Sequence, residues 1–246
     1  MLKVILVASG KGGTGKTSLT AGVGAALAQL GSKVLLIDGD CGLRNLDIVL
    51  GMSDRVVYSF ADVAGGAVPL ADAMACHPDM KTLYLLTAPV ALPALSERGM
   101  EQLAVQAEEA GFDYLLIDGP AGLPAELSFL AHIATQAIIV TSTDRVCVRG
   151  AERCARKLEE EYCIQRIRMV LNACARSSSA TANPATSTTR WTKRDFPCSV
   201  SCPRMWTSFR AATAAGAFMP SSTRARLAPF VNIARRLNGE RIPLKL

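Results

Sequence analysis

The residues with the plainest chemistry are Gly10-Lys11-Gly12-Gly13-Thr14-Gly15-Lys16-Thr17, set between the apolar run Leu2 to Ala8 and a helical stretch from Ser18 to Leu30. A buried strand, a glycine loop and a helix, in that order, bring several backbone N–H groups onto one anion at a helix N-terminus. The loop fits G-x-x-x-x-G-K-[ST], which assigns Lys16 to the β- and γ-phosphates of a nucleotide and the Thr17 hydroxyl to Mg²⁺. The same stretch also contains G-x-G-x-x-G at Gly10, Gly12 and Gly15, with Asp38 about twenty residues on, as a dinucleotide site requires. Lys16 and Thr17 decide between the two. A dinucleotide site has no use for a lysine and a hydroxyl just past its last glycine. Lys11, at a position that the ordinary loop leaves unconstrained, reads from spacing alone as a solvated lysine.

Acids complete the set. Val34 to Ile37 reads as a buried strand with Asp38 and Asp40 at its end. Two carboxylates just past a parallel strand lie on the sheet edge where open α/β sheets place their ligands. Tyr114 to Ile117 is a second apolar strand, ending in Asp118-Gly119-Pro120-Ala121-Gly122. After a phosphate loop in the same chain, such an aspartate binds hydrated Mg²⁺, and the glycine that follows can sense a γ-phosphate through its backbone N–H.

The elements that must hold these residues alternate strand and helix. Leu83 to Thr87, Ala137 to Thr141 and Arg168 to Asn172 read as strands, and residues 52–80 as irregular and short-helical. Ser96 to Ala110, about Leu123 to Ala134, and Asp144 to Tyr162 read as helices, the first with Glu97, Arg98, Glu101 and Gln102 on its wet side. His132, inside an apolar helix, reads as a packed core histidine. The alternation predicts an α/β fold with a doubly wound, mostly parallel sheet. At 246 residues one domain is expected. With no apolar run of about 18 residues, and a strand at the very N-terminus, the expected location is cytoplasmic. The eight cysteines contain no C-x-x-C pair and read as reduced thiols.

With those residues placed, the chain resembles the MinD family, septum-site-determining ATPases within the deviant Walker-A group that also holds ParA. Four stretches carry the resemblance: Gly10 to Thr17, Ile37-Asp38-Gly39-Asp40-Cys41-Gly42-Leu43-Arg44-Asn45-Leu46-Asp47, Arg55-Val56-Val57-Tyr58, and Asp118 to Gly122. The second and third look like MinD rather than ParA. The resemblance covers about residues 1–172 and implies ATP and Mg²⁺ as cofactors. It implies that Lys11 crosses a dimer interface to the partner's ATP, making an ATP-bound homodimer the active state. It also implies that Asp40 positions the attacking water and stands with Thr17 and Asp118 at the metal, supported by Asp38. Ser18 joins the nucleotide-binding set, and Asn172 resembles the asparagine that touches adenine. MinC- and MinE-like regulators and the inner face of the cytoplasmic membrane are the implied partners, with no specific nucleic acid. The C-terminal stretch Asn238 to Leu246, broken by Pro243, reads as too short for the amphipathic membrane helix of that family.

Past Asn172 the resemblance stops. The expected organisation is a nucleotide-binding core over 1–172, an atypical segment over 173–228, and a C-terminal helix remnant with a short tail over 229–246. The atypical segment holds eight of the 27 basic residues and one of the 21 acidic ones, so the +6 net charge arises there. Trp191, Trp206, Phe196 and Phe209 are odd company for a disordered linker. Tryptophan and methionine have single codons, and a one-nucleotide backward shift turns Trp191-Thr192 into Asp, Met205-Trp206 into Val and Trp206-Thr207 into Asp. With G- or C-ending codons chosen elsewhere, Ala185 to Phe209 rereads as N-I-D-D-A-V-D-K-A-G-L-P-L-L-G-V-V-P-E-D-V-D-V-I. That is a helix, a buried strand and a P-E-D turn. A lost nucleotide just after Asn172 and a gain near Pro229 would account for the segment, and a strand and part of the nucleotide pocket are then expected to be missing.

Three other functions compete with an ATP-dimerised division-site switch. A ParA-like partitioning ATPase needs a basic DNA-binding surface, and the chain without 173–228 has one acid more than it has bases. An electron-transfer protein of the nitrogenase iron-protein kind needs cysteines near the second switch, and Gly119 to Phe129 has none. A catalytically impaired nucleotide-binding module is the third.

Overall fold

The fold is that of a computed structural model, which describes residues 1–41, 44–91, 93–122, 124, 128–172, 198–202 and 223–243. The strands are β1 (Lys3–Ser9), β2 (Val34–Asp38), β3 (Ala75–Cys76), β4 (Leu83–Leu86), β5 (Tyr114–Ala121), β6 (Gln136–Thr141), β7 (Ile167–Asn172) and β8 (Cys198–Cys202). They form one sheet in the order β3-β4-β2-β5-β1-β6-β7-β8, parallel except for the short β3. β1 lies between β5 and β6, so the loop leaving it opens in the middle of the sheet's C-terminal edge.

Alternation along the strands divides the core into two layers. Val4, Leu6 and Ala8 of β1 face a cluster with Phe60, Met100, Leu103, Phe129 and Leu158. That layer holds helices α3 (Phe60–Ala64), α5 (Glu97–Glu109), α6 (Ser128–His132) and α7 (Arg145–Tyr162). Ile5 and Val7 face the other way, toward Leu19, Val23 and Leu27 of α1 (Lys16–Gln29), Leu46 of α2 (Leu46–Leu50), and Phe230 and Ile233 of α8 (Thr223–Leu237). The sheet is therefore covered on both faces, as parallel sheets must be. A four-residue α4 (Leu70–Ala73) leads into β3.

The charged face expected for α5 is exposed at Glu97, Arg98, Glu101 and Gln102, and the irregular stretch 52–80 contains only short helices and β3. Several expectations need correction. β5 does not end at Asp118 but continues to Ala121, because Ser9 pairs with Ala121 after a register shift that puts one extra residue on β5. Such a bulge bends the strand where it leaves the sheet's C-terminal edge. His132 is not a core residue. It caps the short α6 at the surface, its side chain 41% exposed, with Nε2 3.2 Å from Glu101 and Nδ1 3.7 Å from Glu97 on α5. The longer helix expected from Leu123 includes residues 123 and 125–127, which lie outside the described residues. Within the atypical segment, β8 pairs parallel with β7, Asn172 opposite Cys202, so a strand occupies the sheet edge where one was expected to be missing. It coincides with the stretch that rereads as L-L-G-V-V. The remainder of 173–222 lies outside the described residues.

Candidate nucleotide-binding site

The loop between β1 and α1 takes its shape from a few contacts. Ser9, fully buried, donates its hydroxyl to the Lys11 carbonyl at 2.7 Å and turns the chain at the strand end. Gly10 lies flush against Gly150 of α7, where a Cβ on Gly10 would run into the Gly150 backbone. Gly13 and Gly15 have left-handed φ of 76° and 91°, which an L side chain adopts only under strain. Lys16 is buried at the first turn of α1. The Thr14 hydroxyl is buried and has no hydrogen-bond partner among the described residues. An orphaned hydroxyl inside a glycine cradle at a helix N-terminus is what a phosphate oxygen would satisfy.

Beside the loop, Asp38 and Asp118 are register partners on adjacent strands, and both are buried. Burial raises the Asp118 carboxyl to about 7, opposed by its hydrogen bond to the Thr17 hydroxyl, with the nearby Asp38 charge raising it further. Thr20, one turn beyond Lys16, directs its hydroxyl at Asp118 Oδ1 (3.2 Å) and at the Lys16 carbonyl (3.1 Å). Its single proton serves one of them at a time. Asp38 is raised to about 6, first by burial, although it accepts from the Leu46 N–H and the Asp40 N–H, each at 3.0 Å. Those two bonds tie the loop after β2 back to the sheet and place Asp40, half-buried, at the mouth of the site. Arg44 closes that loop with a left-handed φ of 43° and donates Nε to Thr87 Oγ1 at 3.3 Å. Cys41, in the same loop, has its thiol pushed up to about 11 by burial and by Asp38 and Asp40, so it stays neutral.

A hydroxyl and a carboxylate are hard oxygen donors, the kind Mg²⁺ prefers, and Thr17 with Asp118 supplies both beside the buried Lys16 ammonium. Gly119 packs against the Val7 carbonyl at the β5 bulge, on the same edge. Lys11 is exposed on the loop, and its ammonium makes no ion pair among the described residues. Ser18 is buried in the first turn of α1. Asn172, at the end of β7, reaches the loop from its other side and donates Nδ2 to the Thr14 carbonyl at 2.8 Å. The structure thus gathers Gly10 through Ser18, Asp38, Asp40, Asp118, Gly119 and Asn172 at one sheet edge.

Sequence reasoning missed Ser9, Thr20 and Gly150. Thr20 had a signal, a hydroxyl one turn after Lys16 on the same helix face. Gly150 had a weaker one, an isolated glycine in the middle of a helical pattern. Ser9 had none.

Comparison with known proteins places this geometry in a described group. The ParA family, described as NUBPL iron-transfer P-loop NTPase, matches residues 1–185. The septum site-determining protein MinD of Thermotoga maritima is 40% identical over 174 residues, 70% of this chain and 64% of that protein. The alignment thus spans a little under two thirds of that relative's length. The MinC:MinD cell division protein complex of Aquifex aeolicus superposes with a TM-score of 0.83 at 32% identity, over 99% of both chains. MinD of Pyrococcus horikoshii, solved with Mg-ADP, superposes with a TM-score of 0.76 at 28% identity, over 97% of this chain and 96% of that one.

Proposed function

The chain belongs to the MinD branch of the ParA family of P-loop NTPases, and from that premise we propose that it is a Mg²⁺-dependent ATPase whose ATP-bound homodimer acts as a switch in division-site placement. The observation that carries the reading is the meeting of a glycine cradle, a buried lysine, a Thr17–Asp118 oxygen pair and the Asp38–Asp40 loop at one sheet edge. The Pyrococcus relative solved with Mg-ADP supports nucleotide and Mg²⁺ as ligands.

Each side chain then has a task. The loop N–H groups and Lys16 hold the phosphate chain, and the Thr14 hydroxyl completes its hydrogen bonding there. Thr17 and Asp118, with Asp40 beside them, would hold Mg²⁺, which when bound would supply positive charge against the phosphates. Asp40 orients the attacking water while Asp38 keeps the Asp40 loop in place through two backbone N–H groups. Gly119 reads the γ-phosphate through its N–H, and Asn172 faces the adenine. Lys11, exposed and unpaired, reaches the phosphates of a second copy, so two chains must meet before either site is complete. Ordering of the Asp40 and Gly119 loops by the γ-phosphate is the switch.

A MinC-type regulator is the proposed partner of the dimer, supported by the Aquifex complex. A MinE-type activator and attachment to the inner membrane face follow from the same family. No described helix is long and apolar enough to cross a membrane. Residues 173–228 are proposed to be read out of frame, in keeping with two MinD relatives whose alignments cover 174 residues, 70% of this chain.

Light scattering on the full chain with Mg²⁺ and a nonhydrolysable ATP analogue tests the switch. The expected result is a dimer with the analogue and a monomer with ADP, and a monomer in both for Lys11→Ala. A Lys11→Ala chain that dimerises as well as its parent would overturn the crossing lysine, and a parent indifferent to nucleotide would overturn the switch.

A further inference from the structure

Asn172 does more in this structure than stand at the edge of a base pocket. Its side-chain Nδ2 lies 2.8 Å from the Thr14 carbonyl oxygen, in a buried contact between the last residue of β7 and the middle of the phosphate loop. A second observation meets it there. Gly15, the next residue of the loop, sits at a φ of 91°, and a Cβ on it would collide with that same Asn172 amide nitrogen. The amide is therefore seated against the peptide joining Thr14 to Gly15, from oxygen to α-carbon.

That peptide is one rigid plane. In a trans peptide the C=O and N–H point in opposite directions, so holding the Thr14 oxygen toward β7 sends the Gly15 N–H away from it. In a loop of this pattern the N–H groups that close on the helix N-terminus are the ones that meet phosphate oxygens. A donor aimed in advance does not have to be reoriented when charge arrives, and the gain appears as affinity.

We propose that Asn172 is a positioning residue of the phosphate loop: by gripping the Thr14 carbonyl it aims the Gly15 N–H, and so strengthens binding of the phosphate chain whatever base is attached. This rests on the nucleotide reading above and extends it. A contact with adenine from the same side chain would act on ATP alone, whereas the grip acts on any ligand with the same phosphates. β7 keeps its register beside β6 as far as Leu171, and a shift by one residue would turn the neighbouring Asn172 side chain to the other face of the sheet.

Two measurements on the full chain, on Asn172→Ala and on Asn172→Asp separate the possibilities. Hydrogen exchange of the ligand-free protein should show faster exchange in the peptide covering residues 10–17 for both variants, with β5 unchanged. Calorimetry with Mg-tripolyphosphate, which has no base, should show affinity lower by about fivefold to tenfold in Asn172→Ala, the loss of one hydrogen bond, and at least as low in Asn172→Asp, which cannot donate. Loop exchange and tripolyphosphate affinity both unchanged, with loss confined to ATP, would overturn the proposal in favour of a base contact. Faster exchange spread equally over β5 would overturn it in favour of general support of the fold. Loop-specific exchange in a chain that binds neither ATP nor tripolyphosphate would sink the nucleotide reading and the gain in phosphate affinity with it, leaving only the ordering of the loop by the Thr14 contact.

Discussion

Asp38 and Asp118 are two carboxylates side by side on adjacent strands, with folded-state values of about 6 and about 7. Both lie above the ordinary carboxylate value, so without a cation the folded chain holds protons that the unfolded chain has released. The associated stabilisation is fully present below about pH 4 and is lost as the pH rises through about 6 to 7. On the proposed reading, Mg²⁺ held by Thr17 and Asp118 would take the place of one of those protons. Asp118→Asn removes the titration while keeping the shape. The metal-free parent should therefore lose Tm relative to Asp118→Asn between about pH 5 and pH 8, and Mg-ADP should raise the parent's Tm more at the upper end of that range. A Tm difference between the two that does not change with pH would remove the burial-raised carboxyl from the account. Lys16, Thr17 and Asp118 could be picked out from the sequence because phosphate and metal chemistry demand those residue types at those spacings. Thr20 carried a signal only in its spacing from Lys16, and Ser9 carried none, because a hydroxyl gains its role from what it points at.

Two helices share the support of the site, and they do it by small residues. α1 carries Lys16, Thr17 and Thr20, and is clamped between the sheet and α8: Gly24 fits under Leu36 on one side and Gly22 under the Phe230 ring on the other. Alanine and glycine along α1 are what let both neighbours come so close. Leu227, Phe230, Ile233, Ala234 and Leu237 are all buried in that layer, and Tyr114 of β5 donates to Asn238 just beyond α8. Emptying the Phe230 position should cost about 3 to 5 kcal/mol of stability, as for other large-to-small changes of aromatic side chains in cores. Urea unfolding of Phe230→Ala against the parent measures it. A loss below about 1 kcal/mol would mean that α8 is not a working part of the core. On the opposite face, α7 meets the loop through Gly150 and Gly10, so the site is braced from both layers. His132 shows the limit of pattern reading at this scale: α6 is too short to bury a face all round, and its last residue turns to the carboxylates of α5.

At the scale of the whole chain, the described packing takes in β1 to β7, β8 paired beside β7, and α8, which docks on α1 as an ordinary core helix. Burial at Phe230, Ile233, Ala234 and Leu237, past residue 228, is what an in-frame C-terminus would produce after an out-of-frame insert. A chain with the frame restored over 173–228 should therefore melt at higher temperature than the chain as written, and should bind ATP more tightly, while its net charge falls from +6 toward neutrality. Resequencing the gene and scanning calorimetry on both chains check this. An intact reading frame, or a restored chain that is no more stable, would count against it. The sequence by itself determined the strand and helix alternation, the glycine loop with its lysine and hydroxyl, and the acids Asp38 and Asp118 on their strands, because periodicity and ligand chemistry act on neighbouring residues. Tertiary structure alone decided that β1 sits between β5 and β6, that β5 bulges past Asp118, that Gly150 and Asn172 brace the loop, and that Asp38 holds the Asp40 loop instead of facing solvent. Those outcomes depend on which buried groups end up in contact, and burial is set by strands and helices that are far apart in the chain.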